Sequence, residues 1–304
     1  MTVTVLVPDD HGYAAVERLE GARAVRFKLG DPLPAGADEA EVLVPGFLVG
    51  PEAVRMTWEL PKLRLVQLLT AGAEAWVGKL PAGVQLAIAR GAHGASTAEW
   101  AITGLLSMYR EFPGFADAQR EHRWTQHQTD TLHGKRILIV GAGNLADELR
   151  RMLAPFDTTV TLVGSRARAG VHGVDELPRL LPDFDAVVLM VPVTSKTIGM
   201  VDAEFLSRMA DGAILVNAAR GPVVRTDDLL AELRNRRLRA VLDVTDPEPL
   251  PAGHPLWDAP GLLLTPHVGG SSRGSMQRGW AIAVEGIEDY LAGKPPRNLV
   301  HDEY

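Results

Sequence analysis

Short runs that are apolar on consecutive positions recur along this 304-residue chain, each followed by an amphipathic stretch, and this alternation restricts the fold more than any other feature. A strand with apolar side chains on both faces must be covered on both sides, the condition of a parallel sheet packed between helices. Strands are predicted over Val3–Val7, Glu41–Pro45, Leu65–Leu69, Val84–Ala89, Arg136–Val140, Thr159–Val163, Ala186–Val191, Ala213–Asn217, Arg239–Asp243 and Leu262–Thr265. Helical periodicity marks Tyr13–Glu20, Ser96–Arg110, Asn144–Ala154, Asp202–Met209, Thr226–Arg234 and Ser275–Leu291, several with Ser, Asp or Asn placed to cap them. The βαβα order specifies α/β doubly wound sheets, and the length argues for two domains with separate cores. Glu121–Gly134 has no periodic pattern and reads as a surface connection.

Composition removes several function classes. Hydrophobic residues at 46% and charged residues at 23% are globular usage, too apolar for a disordered chain. With 31 Lys and Arg against 38 Asp and Glu, the net charge of −7 leaves no electrostatic footprint for nucleic acid or anionic membrane. An anionic ligand must therefore be met by a local cluster. The absence of cysteine excludes a disulfide scaffold, a cysteine nucleophile and a thiolate metal site. The first ten residues lack a basic n-region and no segment approaches 18 uninterrupted apolar residues, so a soluble, cytoplasmic protein is expected. His122 and His127, five apart, share no helix face, and no metal site is expected there.

The chemistry concentrates at strand ends. Gly141-Ala-Gly143-Asn144-Leu145-Ala146 follows a strand and opens a helix, a G-x-G-x-x-A turn whose glycines let a pyrophosphate approach the backbone at a helix N-terminus. Alone the pattern is weak; the strand–turn–helix setting makes it a dinucleotide site. An NAD site usually carries Asp or Glu about 20 residues on, to bond the ribose 2′-hydroxyl. Here the sequence is Val163-Gly164-Ser165-Arg166-Ala167-Arg168, and Asp157 lies at the far end of that strand. Ser165 and Arg166, with Arg168 as a further candidate, suit a 2′-phosphate instead. Arg220 in Val216-Asn-Ala-Ala-Arg-Gly221, Glu248 in Asp243-Val-Thr-Asp-Pro-Glu-Pro249 and His267 in Thr265-Pro-His-Val-Gly-Gly270 each follow a predicted strand, at the edge where open α/β sheets bind ligands.

Taken together, these motifs identify a resemblance to the D-isomer-specific 2-hydroxyacid dehydrogenase family, of the NADP-preferring glyoxylate/hydroxypyruvate reductase type. It covers roughly residues 65–300 and includes Val191-Pro192, the turn containing Thr197, and His254-Pro-Leu-Trp257. The resemblance implies two Rossmann-like or flavodoxin-like domains with a cleft between them. Residues 1–93 and 272–304 would form a discontinuous substrate domain and 94–271 the dinucleotide-binding domain. It implies that His267 is the general acid/base, that Glu248 orients its ring and keeps it a usable acid, and that Arg220 binds the carboxylate and polarises the carbonyl of a 2-oxoacid. Gly141, Gly143, Asn144, Leu145, Ser165, Arg166, Val191, Pro192, Thr197, Ala218, Asp243 and His267 would contact the cofactor, Asp243 through the nicotinamide carboxamide. NADP is expected as cofactor, with NAD weaker. Ala71, Gly72 and Ala73 match the family's glycine loop, whose backbone N–H groups hold the substrate carboxylate, and only that backbone role carries to a loop ending in Glu74. Trp100 either shapes the substrate pocket or anchors its helix.

The resemblance further implies a homodimer formed through the coenzyme domain with the help of Ser96–Arg110. An alternative function is a nucleotide-sensing, corepressor-like binding protein on the same scaffold. A formate dehydrogenase is disfavoured, because that branch has glutamine where this chain has Glu248. The loop Gly46-Phe47-Leu48-Val49-Gly50 carries no Arg or Lys, so a phosphorylated oxoacid is not expected as substrate.

Overall fold

The computed structural model describes residues 2–47 and 49–300. The chain divides into two compact units, Met1–His93 with Arg273–Tyr304, and Gly94–Ser272, so that Ser272, predicted with the first, falls in the second.

The first unit is built on a parallel sheet of β1 (Val3–Val7), β2 (Ala22–Arg26), β3 (Ala40–Leu43), β4 (Leu65–Gln67) and β5 (Gln85–Ala87), in the order 2-1-3-4-5. Alternation sends Leu6, Leu43, Val66 and Leu86 into one core layer and Val5, Val7, Val42 and Leu65 into the other. That division explains why the runs are apolar at every position. The outer edge of β5 is covered by the C-terminal segment, where Ile88 N–H donates to Asn298 O (3.1 Å) and Val300 N–H to Leu86 O (2.8 Å). This removes an open ladder that would otherwise invite pairing with another chain.

The second unit holds β6 (Arg136–Val140), β7 (Thr159–Gly164), β8 (His172–Gly173), β9 (Ala186–Leu189), β10 (Ile214–Asn217), β11 (Arg239–Leu242) and β12 (Leu262–Leu264). They form one parallel sheet in the order 12-11-10-9-6-7-8. Ile137, Ile139, Ala186, Val188, Ile214, Val216 and Val241 face the helices Gly94–Tyr109 and Asn144–Leu153. Leu138, Val140, Val187, Leu189, Leu215, Ala240 and Leu242 face the layer containing Ala203–Arg208 and Thr226–Arg234. The order reverses between β6 and β9, and in such sheets that reversal opens a crevice at the carboxyl edge.

Where the structure differs from the sequence reading, the reasons are local. β2 was not predicted because only Ala24 of its five residues is buried and two are arginines. Its Arg26 instead stacks on Tyr13 (4.6 Å to the ring centroid) and pairs with Asp10. The unpredicted helix Phe112–Arg120 starts with Pro and Gly, which read as breakers, yet Pro is tolerated in a first turn. The helix Pro51–Met56 is shorter and Pro-initiated, and Leu177–Leu180 is a single turn. Residues 123–130 have no regular structure, in keeping with a surface connection. Among the described residues no helix is long and apolar enough to cross a membrane.

Asp9 secures the first unit twice over. One carboxylate oxygen caps the helix Asp10–Val16 by accepting from Gly12 N–H (2.7 Å), and the other accepts the indole N–H of the buried Trp280 (3.3 Å). Asp9→Ala removes a cap and leaves a buried donor unpaired, and should destabilise this unit by about 2 kcal/mol in denaturant titrations followed by tryptophan fluorescence. An unchanged midpoint would contradict this account.

Candidate functional site

In the second unit the candidate residues gather at the carboxyl edge of neighbouring strands. Arg220 follows β10, Glu248 follows β11 and His267 follows β12, three adjacent strands of one sheet. His267 Nδ1 lies 2.6 Å from Glu248 Oε1, with both side chains about one-third exposed (33% and 39%). An ionised carboxylate only accepts, so Nδ1 carries the proton and Nε2 is the ring nitrogen left for acid–base work. The peptide bonds Asp246-Pro247 and Glu248-Pro249 are cis, and the segment around them is tied by Thr245 Oγ1 donating to Pro247 O (2.8 Å) and Thr226 Oγ1 donating to Asp246 O (2.8 Å).

Arg220 owes its placement to Asn217, a residue sequence reasoning passed over. Asn217 is 1% exposed; its Oδ1 accepts from Ala219 N–H (3.0 Å) and its Nδ2 donates to Arg220 O (3.0 Å). The side chain thus clamps the turn that carries the arginine. The available signal was a polar residue ending a buried apolar strand, which must find internal partners. Arg220 itself donates Nη1–H to Ala219 O (2.7 Å), fixing one edge of its guanidinium.

The glycine turn fits a dinucleotide. Gly141 has φ +132°, and a Cβ there would lie 2.3 Å from Met190 O, so no other residue fits that turn without displacing β9's end. Among the described residues, a Cβ on Gly143 would meet nothing within 4 Å, and the helix Asn144–Leu153 that it caps carries no side-chain cap bond from Gly143. An anionic group can therefore reach the first-turn N–H groups of Asn144 and Leu145. Val191 and Pro192 follow β9, where Thr197 Oγ1 donates to Pro192 O (2.7 Å) and accepts from Thr194 N–H (2.8 Å). Ala218 is buried at the end of β10.

Ser165 and Arg166 are exposed just past β7, whereas Arg168 reaches back over the turn and donates Nη2–H to Ala142 O (2.8 Å). Asp157 sits at the opposite end of β7 and pairs with His133 (2.8 Å). Trp100 is half-buried on Gly94–Tyr109, its indole N–H bonded to Thr265 Oγ1 (2.9 Å). Asp243 is 5% exposed, and its carboxylate accepts from Thr265, Val268 and Gly269. His127, one of the spaced histidine pair, stacks on Phe115 and bonds Glu111 (2.9 Å).

The first unit carries the predicted carboxylate loop, Ala71, Gly72 and Ala73, between β4 and a buried Trp76 whose N–H donates to Ala73 O (2.8 Å). The strand end before the loop is held by His93, whose Nε2 lies 3.0 Å from Leu69 O and whose ring meets Phe47 edge-on at 5.4 Å. Leu48, in the loop expected to lack phosphate-binding groups, lies outside the described residues. Burial and the nearby Arg278 charge hold His93 below the ordinary histidine range, although its bond to Leu69 O works in the other direction. A depressed histidine is neutral in the folded chain while the unfolded chain takes up a proton. Its stabilising contribution is therefore complete above about pH 6.5 and is lost as pH falls from there through the folded value. Thermal unfolding of wild type should weaken on acidification more steeply than that of His93→Gln, which keeps a donor without the titration; parallel curves would contradict it.

Residues 102–269 match the family of the D-isomer specific 2-hydroxyacid dehydrogenase, NAD binding domain. Glyoxylate/hydroxypyruvate reductase A of Citrobacter koseri is 30% identical over 275 residues, 86% of this chain and 85% of that protein. Among solved structures, a D-isomer specific 2-hydroxyacid dehydrogenase family protein from Aeromonas salmonicida subsp. salmonicida A449 superposes with a TM-score of 0.87 at 28% identity, covering 99% of each chain. A D-isomer specific 2-hydroxyacid dehydrogenase from Xanthobacter autotrophicus Py2, solved with NADPH and MES, does so with a TM-score of 0.83 at 30% identity, covering 99% of this chain and 98% of that one.

Proposed function

The chain belongs to the D-isomer-specific 2-hydroxyacid dehydrogenase family, and from that premise we propose that it is an NADPH-preferring reductase of small 2-oxoacids, giving D-2-hydroxyacids. The observation that carries the reading is the 2.6 Å pairing of His267 Nδ1 with Glu248 on the strand edge that also presents Arg220. The pairing orients the ring and leaves Nε2 to face a substrate oxygen, the arrangement a general acid needs.

Arg220 takes the substrate carboxylate and polarises the neighbouring carbonyl, for which a planar guanidinium has matching geometry. His267 Nε2 gives its proton to the carbonyl oxygen as negative charge develops there, and Glu248 stabilises the ring while it is charged. In the first unit, the backbone N–H groups of Ala71, Gly72 and Ala73 are suited to a carboxylate. When bound, the reduced nicotinamide supplies the hydride that the carbonyl carbon accepts. Gly141, Gly143, Asn144 and Leu145 cradle the pyrophosphate, and the turn of Val191, Pro192 and Thr197, with Ala218, lies along the cofactor. A carboxylate offers about four lone-pair sites, and the three bonds to Asp243 leave one for the carboxamide N–H₂. In the oxidative direction the neutral imidazole is the base.

For cofactor choice, the end of β7 matters most. Gly164 stands where a carboxylate would bond the ribose diol and repel a 2′-phosphate, while Ser165 and Arg166 supply a hydroxyl and a cation, and Arg168, drawn over the turn, supplies a second. The enzyme acts in the cytoplasm as a homodimer through its coenzyme-binding unit, and the dimer is supported by the 93% exposure of Trp124 and the 61% exposure of Phe112 on that unit.

His267→Ala should lower kcat for glyoxylate reduction by about 10²–10⁴-fold, the usual worth of a positioned general acid. A loss below threefold with chemistry rate-limiting would remove His267 from this role. NADPH should exceed NADH in kcat/KM by about 10- to 100-fold, since each charge-assisted bond at a partly exposed site contributes about 1–3 kcal/mol. Arg166→Ala and Arg168→Ala should each shrink that ratio, and added salt should weaken it. Equal use of the two cofactors by wild type, or a ratio unmoved in both variants, would show that this loop does not read the phosphate.

A further inference from the structure

His267 has φ +55°, in the left-handed region that a non-glycine residue disfavours, so the turn carrying it must be held by something outside itself. The holder is Asp243. Its backbone O accepts from His267 N–H (2.7 Å), its Oδ1 from Val268 N–H (2.8 Å) and its Oδ2 from Gly269 N–H (2.7 Å). Three successive N–H groups of the turn therefore close on one residue at the end of β11. A Cβ on Gly269 would lie 2.9 Å from Asp243 Oδ2 and 3.4 Å from the Trp100 ring, so this closure needs glycine.

The carboxylate is itself oriented by a directed chain. An indole N–H can only donate, so Thr265 Oγ1 must accept from Trp100 Nε1 (2.9 Å), and its single proton is then committed to Asp243 Oδ1 (2.6 Å). Neither bond can reverse, and each polarises the other in a largely buried setting. Trp100 comes from the helix Gly94–Tyr109, far from the turn in sequence.

We propose that Trp100 and Thr265 are positioning residues for the acid/base histidine: the relay Trp100–Thr265–Asp243 holds the left-handed turn on which His267 meets Glu248. Trp100 acts through its N–H, by fixing the hydroxyl that fixes the carboxylate. The inference rests on the reductase reading for its kinetic consequences, though its structural content does not.

The test uses Trp100→Phe, which keeps an aromatic ring and removes the donor, Thr265→Val, which keeps the shape and removes the hydroxyl, and Thr265→Ser, which restores it. With glyoxylate and NADPH, the first two should lower kcat by about 5- to 30-fold, the scale of one lost bond to a charged group, with KM for glyoxylate and Kd for NADPH moved less than about threefold. Thr265→Ser should recover most of kcat, and the Trp100→Phe/Thr265→Val double variant should be little worse than the worse single one, because both cut the same chain. A rise in KM with kcat intact would overturn the proposal in favour of a pocket-lining role for Trp100. Additive losses, or no loss in Thr265→Val, would also overturn it. The second readout needs no turnover: the NMR ring signals of His267, assigned by their disappearance in His267→Gln, should shift in Trp100→Phe and Thr265→Val while those of His172 stay in place. Unmoved His267 signals overturn the inference; shifted signals in an enzyme whose wild type reduces no 2-oxoacid uphold it and count against the reductase reading instead.

Discussion

A buried carboxylate must be compensated, and Asp243 is compensated in a way that organises its surroundings. Taking an ionised carboxylate from water costs several kcal/mol unless hydrogen bonds replace its hydration. Asp243 is 5% exposed and replaces that hydration with the hydroxyl of Thr265 and the N–H groups of Val268 and Gly269. The same bonds define a turn that would not form on its own, since His267 within it is left-handed. Solvation of one charge and placement of the His267 ring are thus a single arrangement.

The sheet supplies the frame for that arrangement. Parallel pairing sends β10, β11 and β12 in one direction, so the chain leaves all three at the same edge. Residues scattered over 48 positions from Arg220 to His267 become neighbours along that edge without any long connection between them. Apolar layers on both faces fix the strands in register, since slipping one residue would exchange the two layers of the core. The edge can then carry strained or polar features, among them the clamp of Asn217 and the His267 turn, because the strands beneath are packed on both faces.

The cofactor end shows how an acidic chain presents positive charge locally. At a net charge of −7 the long-range field does not favour anions. The helix N-terminus at Gly143 and the arginines after β7 offer positive charge that would act only at contact distance, and Gly164 sets no carboxylate against an anion there.

Much of this was legible in the amino-acid order. Doubly apolar runs such as Arg136–Val140 and Ile214–Asn217 can exist only inside covered parallel sheets, and the glycine turn, Arg220, Glu248 and His267 each follow such a run, so the α/β class and the edge that bears the site follow from burial and strand direction alone. Strands with a single buried residue, like β2, and helices with Pro in the first turn, like Phe112–Arg120, were not legible, because their stability comes from partners distant in sequence rather than from their own pattern. The partners of Asn217, Arg168, Trp100 and Thr265 belong wholly to the tertiary structure. Which donor meets which acceptor across 165 residues, as Trp100 meets Thr265, depends on the packing of a helix against a sheet, and no local pattern encodes that distance.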